Sequence, residues 1–287
     1  MYNADARPLA RELLRQAQAI GDLDFELLVV DDCSTDGSLV AQCAEISQWP
    51  HGRFKALEAN IGRARIRNLL ASLATKEWLL FLDCDMVIDR PDFLRTYLQA
   101  DGDVIYGGYS VGPGEPSSLR WLYEQAHAAE HTAEARRRRP YQHFHTGNFL
   151  VRRDIMLAHP FDATFSRYGY EDVLFGKQLR EAGIAISHID NPAAFKTFES
   201  NASFVGKTEE ALLTLAEHRR QLRGYSRLLT VAEGIHIAPI RWLLRSLHRL
   251  VRRPVRRRLC GTHPNLRLFE LYKTGHFLTI LPTVEQS

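Results

Sequence analysis

Over the first two-thirds of this 287-residue chain, helically spaced apolar residues alternate with short apolar runs, and this alternation limits the possible fold more than any single motif. Leu9, Leu13, Leu14 and Ala17 line one helix face, which Gly21 ends. Residues 25–30 read as a buried strand, Asp36 or Ser38 as the cap of a helix running to about Gln48, and residues 53–57 as a second strand. The pattern continues with helical spacing over 62–74, a strand at Trp78–Leu82, a helix over 91–98 with proline in its first turn, and a strand over 104–109. A helix near 117–135, a strand over 147–151, a helix over 171–182 stopped by Gly183 and a strand over 184–189 complete it. Alternation at this pitch predicts an α/β fold, a mostly parallel, Rossmann-like sheet flanked by helices. Strand signals fade beyond Gly206, so the expected division is an α/β domain over 1–203 and a helical region over 204–287.

Composition narrows the function classes. The four cysteines (Cys33, Cys43, Cys84, Cys260) have no C-x-x-C spacing, which argues against a zinc ribbon or a redox pair and fits a reducing compartment. The first residues do not read as a signal segment, and no apolar run approaches the roughly 20 residues that span a bilayer. A cytoplasmic location is therefore the expectation. The formal charge of +3 hides an uneven distribution, with arginines crowded into 136–139 and 241–258 and acids spread over the first two hundred residues.

The apolar run Trp78–Leu82 ends in Asp83-Cys84-Asp85. On an extended backbone, acids at i and i+2 project to one side, where they are costly unless solvated, paired or bound to a cation. Strand ends are also where open α/β folds bind ligands. Two more acidic patches stand at strand or helix ends, Val29-Val30-Asp31-Asp32-Cys33-Ser34-Thr35-Asp36-Gly37-Ser38 and Tyr168-Gly169-Tyr170-Glu171-Asp172. Asn60-Ile61-Gly62-Arg63 and Thr146-Gly147-Asn148 lie between them. Taken singly, each patch reads as helix capping or turn chemistry.

In this order the motifs resemble the family 2 glycosyltransferases with the glycosyltransferase-A fold, over about residues 2–200. Glu171-Asp172 and the stretch through His188-Ile189-Asp190-Asn191-Pro192 look like a soluble bacterial branch. The resemblance implies that Asp32, with Asp31 close to it, accepts hydrogen bonds from a nucleotide base, and that Asn60 and Arg63 lie beside the nucleotide. It further implies that Asp83 approaches the ribose or sugar, that Asp85 ligates Mg²⁺ or Mn²⁺, that Glu171 belongs with the donor-binding residues, and that Asp172 is the general base. These assignments are chemically consistent. Hard cations take carboxylate, phosphate and water oxygens, and a carboxylate opposite the leaving diphosphate can deprotonate an attacking hydroxyl, giving inversion.

Two departures from the family pattern stand out. Members usually open with a strand of apolar-apolar-Pro-x-Tyr-Asn form, of which only Met1-Tyr2-Asn3 is present. The expectation that follows is a truncation at the N-terminus, which sequencing the native protein's terminus would check. Relatives also often carry a histidine a few residues past Asn191-Pro192, where this chain has Phe195. With His188 expected to be packed or paired, Asp85 is left as the only protein ligand, and metal affinity should be weak without nucleotide.

In the basic segment, Ile240, Leu243, Leu244, Leu247, Leu250 and Val251 form a helical stripe among arginines, which Pro254 breaks. Such a helix can lie on an anionic membrane, at the inner face of the cell membrane, or pack on the catalytic domain with its arginines solvated. Arg136–Arg139, followed by Tyr141, His143, Phe144 and His145, read as a loop, either near the acceptor or diphosphate or simply solvated, and not as a nucleic-acid site.

The best rival from another class is a receiver-like signalling domain with a metal-assisted phospho-accepting aspartate. It fails on the helix before Asp31-Asp32 and leaves more than half of the chain unexplained. A non-catalytic nucleotide-sugar-binding protein is the other alternative. The expected activity is metal-dependent, inverting transfer from a nucleotide sugar, a UDP-sugar foremost, to a glycan or lipid-linked acceptor of surface polysaccharide synthesis.

Overall fold

The computed structural model describes residues 1–284 and divides into two compact units. The first comprises Met1–Gly112, Ala128–Ser166 and Phe175–Thr197; the second comprises Pro113–His127, Arg167–Leu174 and the chain from Phe198 onward.

The first unit is α/β. It begins with α1 (Arg7–Ile20), β1 (Leu27–Asp31), α2 (Gly37–Cys43) with a 3-10 extension, β2 (Gly52–Ala56), α3 (Arg63–Leu73) and β3 (Trp78–Leu82). Asp36 caps α2 by accepting from the Ser38 and Leu39 amides at 3.0 and 3.1 Å, as its position before the helix predicts. There follow β4 (Met86–Val87), α4 (Phe93–Leu98), β5 (Val104–Tyr106), β6 (Tyr109–Val111), α5 (Leu119–His127), α6 (Ala133–Arg138), β7 (Asn148–Arg152), α7 (Arg153–Ala158), α8 (Glu171–Glu181), β8 (Ile186–His188) and β9 (Ala193–Phe195). α5 belongs to the second unit, as does the first turn of α8.

The strands form three ladders: β1 beside β2, the order β3-β7-β5-β8, and the order β4-β9-β6. β1 and β2 are parallel, as are β5 and β8, in keeping with βαβ connections. β7 enters antiparallel to both β3 and β5, so that sheet is mixed. The free side of β1 carries Met1, whose carbonyl accepts from the Asp32 amide at 2.8 Å.

Several expected elements are cut shorter. The strand over 104–109 splits at Gly107-Gly108. A Cβ on Gly107 would stand 2.4 Å from the Tyr97 hydroxyl, and Gly108 sits at φ 85° with the Arg136 guanidinium against it. Residues 104–106 therefore pair with β7 and β8, and residues 109–111 turn to β9. The helix near 117–135 ends at His127 and restarts as α6, because Thr132 supplies a new cap to the Ala135 amide. The run 136–139 is not a loop. Arg136 is 2% exposed on α6 and donates to the Tyr106, Gly107 and Ile189 carbonyls at 3.1, 3.2 and 2.8 Å. Those carbonyls lie at the ends of β5 and β8, so one arginine ties the strand ends together.

Phe144, Phe149, Phe161 and Phe175 are fully buried, with Phe161 and Phe175 stacked at 4.3 Å and Phe81 and Phe149 at 4.9 Å. Each contributes about 1.5–3 kcal/mol of burial. A second cluster packs Leu9 of α1 and Phe93 and Tyr97 of α4 against Ile105 and Ala193.

The second unit is helical. To α5 it adds α9 (Asn201–Glu217), α10 (Arg227–Gly234), α11 (Ala238–Leu259) and α12 (Leu266–Val284). Leu119, Phe204, Val205, Leu259, Phe269 and Tyr272 form its core. Asn201 joins three segments, accepting from the Leu119 amide and donating to the Ser117 and Gly261 carbonyls. α11 passes through Pro254 instead of ending there, because Val255 and Leu259 beyond it pack into the core and Arg256 pairs with Glu209. The stripe divides: Leu244 and Val251 turn to the same side as the buried His248 and Leu259, while Ile240, Leu243, Leu247 and Leu250 are exposed. Among the described residues no helix is long and apolar enough to cross a membrane.

Candidate functional site

In the first unit the acidic residues gather where β1 and β3 end. Asp31 and Asp32 close β1 at 1% and 5% exposure, so each carboxylate needs partners. Asp31 accepts from the amide and hydroxyl of Ser34, which folds the turn after β1. Asp32 accepts from the Ile61 and Gly62 amides at 2.7 and 3.0 Å, and the Asn60 side chain donates to the Asp32 carbonyl at 2.9 Å. The Asn60-Ile61-Gly62 turn is thus built around Asp32. Gly62, at φ 83°, turns directly into α3, whose N-terminal amides and first residue, Arg63, face the same turn.

At the end of β3 the backbone leaves extended geometry. Cys84 and Asp85 form a turn, closed by the Met86 amide on the Asp83 carbonyl at 3.1 Å. The two acids therefore do not share one strand face as extended spacing predicts. Asp83 meets Arg63 at 2.7 Å and Arg67, one turn further along α3, at 2.8 Å. Burial raises the Asp83 pKa, and the two guanidiniums more than reverse this, holding the carboxyl below its ordinary range. Asp85 is exposed. Between them, burial pushes the Cys84 thiol up to about 11, so it is an inert packing group.

Arg67 is 5% exposed and lies over the Phe161 ring at 5.7 Å. Sequence reasoning missed it. Its place one helical turn after Arg63, on the same face, was the available signal. Asn68 next to it exchanges two 2.9 Å hydrogen bonds with the Phe161 backbone, fixing the segment that supports Arg67. Gly147 adjoins the acidic turn: its carbonyl accepts from the Asp83 amide at 3.0 Å, and a Cβ there would reach within 3.2 Å of Met86.

Phe195 lies beside the same turn. In the β4–β9 ladder it stands opposite Met86, the residue after Asp85. His188 is packed, as expected. It donates to the Pro140 carbonyl at 2.9 Å and meets the Tyr106 ring edge-on, and burial pushes its pKa down to about 4. A buried network of Tyr97, Asn148 and Asn191 joins these strand ends: Tyr97 donates to the Asn148 side chain at 2.7 Å, and Asn148 donates to the Gly108 and Asn191 carbonyls. Among the described residues no group of three or more His, Cys, Asp or Glu side chains stands ready to hold a metal. The exposed carboxylate of Asp85 fits a hard cation that takes its remaining ligands from phosphate and water.

Glu171 and Asp172 belong to the second unit, in the first turn of α8. Gly169 at φ 96° and Tyr170 at φ 67° deliver the chain into that helix through two left-handed residues, an uncommon pair of which the second lacks glycine's freedom. α9 holds this entry in place. Glu210 accepts from the Tyr168 amide at 3.1 Å, Thr214 donates to the Tyr168 carbonyl at 2.9 Å, and Gly169 lies against Ala211. Burial pushes the Tyr170 hydroxyl up to about 12, with Ser226 as its hydrogen-bond partner. Glu171 is buried, and the Asp172 carboxylate accepts from the Val173 amide at 2.8 Å.

This chain belongs to the glycosyl transferase family 2, whose sequence profile matches residues 1–159. The receiver-like alternative falls with that membership. No curated protein matches the chain. Among solved structures it is similar to S. aureus TarS 1-349, with 18% identity over 100% of this chain and 89% of that one, at a TM-score of 0.50. It is also similar to the mannosyltransferase PcManGT from Pyrobaculum calidifontis, solved in complex with GDP-Man and Mn2+, with 16% identity over 99% and 84% of the two chains and a TM-score of 0.53. At these identities the likeness is one of fold.

Proposed function

We propose that the protein transfers a sugar, with inversion, from a nucleotide-sugar donor to a glycan or lipid-linked acceptor, adding one residue at a time in cytoplasmic steps of surface polysaccharide synthesis. The observation that carries this reading is the pre-formed acidic turn after β3. Asp83 is clamped by Arg63 and Arg67, Asp85 is exposed beside it, and the Asp32-built turn and the start of α3 adjoin it.

In this reading Asp32 and Asn60 border the base, Asp83 meets the ribose or sugar, and Arg63 exchanges part of its contact with Asp83 for the diphosphate. Glu171 lines the donor sugar. Asp172 removes the proton from the acceptor hydroxyl as that oxygen bonds to the anomeric carbon and the nucleoside diphosphate leaves from the opposite face. Asp85 would hold a Mg²⁺ or Mn²⁺ ion, which when bound would supply positive charge to the departing diphosphate. Fold relatives include one solved with GDP-Man and Mn2+, which supports a nucleotide-sugar donor and a divalent cation as a class. The reading favours UDP as the nucleotide.

The test is turnover of a panel of UDP- and GDP-sugars with Mn²⁺, with the product anomer read by NMR, for the wild type and Asp85→Ala. The expected result is inverted product from at least one donor and strong loss in the variant. Donor binding without turnover of any sugar would instead identify a non-catalytic nucleotide-sugar-binding protein.

A further inference from the structure

α11 buries the wrong face for an isolated amphipathic helix. On a wheel of about 100° per residue, Ile240, Leu243, Leu247 and Leu250 fall within an arc of about 80°. They are 45%, 59%, 53% and 79% exposed. The helix is anchored by a different arc, in which Leu244, His248, Val251, Val255 and Leu259 face the unit's interior. The apolar stripe is therefore left over after the helix has packed.

The charge beside the stripe is one-sided. α11 carries eight arginines and no acid. Arg241 and Arg245 turn inward to the Ala232 and Leu278 carbonyls, and Arg256 pairs with Glu209. On the same wheel Arg257 borders the stripe, with Arg253 and Arg249 further round on the solvent side, and all three are exposed. Among the described residues none of these three has an ion-pair partner. Trp242, 68% exposed, stands on the arginine side near the helix start.

We infer that this stripe of α11 is the surface by which the protein lies on an anionic lipid bilayer. A leucine–isoleucine arc flanked on its solvent side by arginines and a tryptophan matches an interface that is apolar below and negative at the headgroups. The helix, at about 1.5 Å per residue over 22 residues, would lie in the plane of the membrane for some 30 Å. A second copy of the chain fits less well. Two such stripes packed together would bring one arginine row against another with no acid on either helix to offset them. This inference depends on α11 alone and stands or falls separately from the transfer reaction.

The test is co-sedimentation of the full chain with vesicles of phosphatidylcholine alone or mixed with phosphatidylglycerol, at low and high salt. The expected result is binding to the anionic vesicles that weakens with salt, and little binding to the neutral ones. Arg249→Gln/Arg253→Gln/Arg257→Gln should weaken it on the order of a hundredfold, and Leu243→Ser/Leu247→Ser/Leu250→Ser more than about tenfold. A charge-matched control, Arg95→Gln/Arg138→Gln/Arg139→Gln in the first unit, should bind as the wild type does. All three variants alter exposed side chains, and an unchanged melting temperature confirms that each is folded. Equal binding by all variants, or no binding by the wild type, overturns the inference. So does a dimer in light scattering that the leucine substitutions dissolve, since the stripe would then join two copies.

Discussion

The two units handle charge in opposite ways. In the first, buried charge is matched group by group: Asp83 by two guanidiniums, Asp32 by two turn amides, and Arg136 by three carbonyls at strand ends. In the second, α11 keeps six of its eight arginines and most of its leucine stripe at the surface. Matched burial fixes side chains in place, which a binding site for a small charged ligand requires. Unmatched surface charge beside apolar residues leaves positions free to meet something large and deformable. The first unit thus presents a charged turn whose buried groups are already partnered, and α11 presents arginines and apolar side chains that are not.

Breaking a matched buried charge should have the largest effect on stability. Arg136→Ala strips three buried carbonyls of their donor and is expected to cost about 3–5 kcal/mol, read as a lower midpoint in urea unfolding. Arg67→Ala leaves Asp83 with one partner and should cost about 3 kcal/mol, whereas Arg63→Ala, at a 43%-exposed side chain, should cost about 1 kcal/mol or less. Equal costs at the two positions would show that burial does not set the value of the clamp.

Acid should act on both units in the same direction and somewhat less strongly. Burial holds His188 in the first unit and His248 in the second neutral, with pKa values pushed down to about 4, and nearby arginines and histidines add to the effect. His276 is lowered mainly by burial; Arg252 lowers the His248 pKa, and Glu209 opposes the shift. Between the folded value and the ordinary one near 6.5, the unfolded chain binds more protons. Stability is therefore complete above that range and lost as pH falls through it, by about 2 kcal/mol or more per histidine. Calorimetry at pH 7.5 and 5 should show a clear drop in melting temperature, and a rise would contradict the burial of these rings.

Much of the first unit was legible because its signals are local. The run Trp78–Leu82 is β3 to the residue, Asp36 caps α2, and Gly183 ends the chain's turn out of α8 at φ 72°. Motif order placed Arg63 beside a nucleotide, and its ion pair with Asp83 came only from the structure. Arg67 and Arg136 were not legible, since a buried arginine and a solvated one are the same letter and only tertiary packing separates them. β6 and β9, three residues each, are too short to carry a period, and the split at Gly107-Gly108 depends on Tyr97 and Asn191 arriving from elsewhere. On α11 the apolar residues cover two adjoining arcs. Periodicity alone could not tell which arc would be buried, and His248, a polar residue, lies on the one that is.

Substituting Asp172, the second residue of α8, separates donor binding from chemistry. For Asp172→Asn, calorimetric titration with the accepted nucleotide sugar and Mn²⁺ is paired with single-turnover transfer to the acceptor. The expected result is a donor Kd within about twofold of the wild type and a transfer rate lower on the order of a thousandfold. A variant that transfers sugar at nearly the wild-type rate would contradict it.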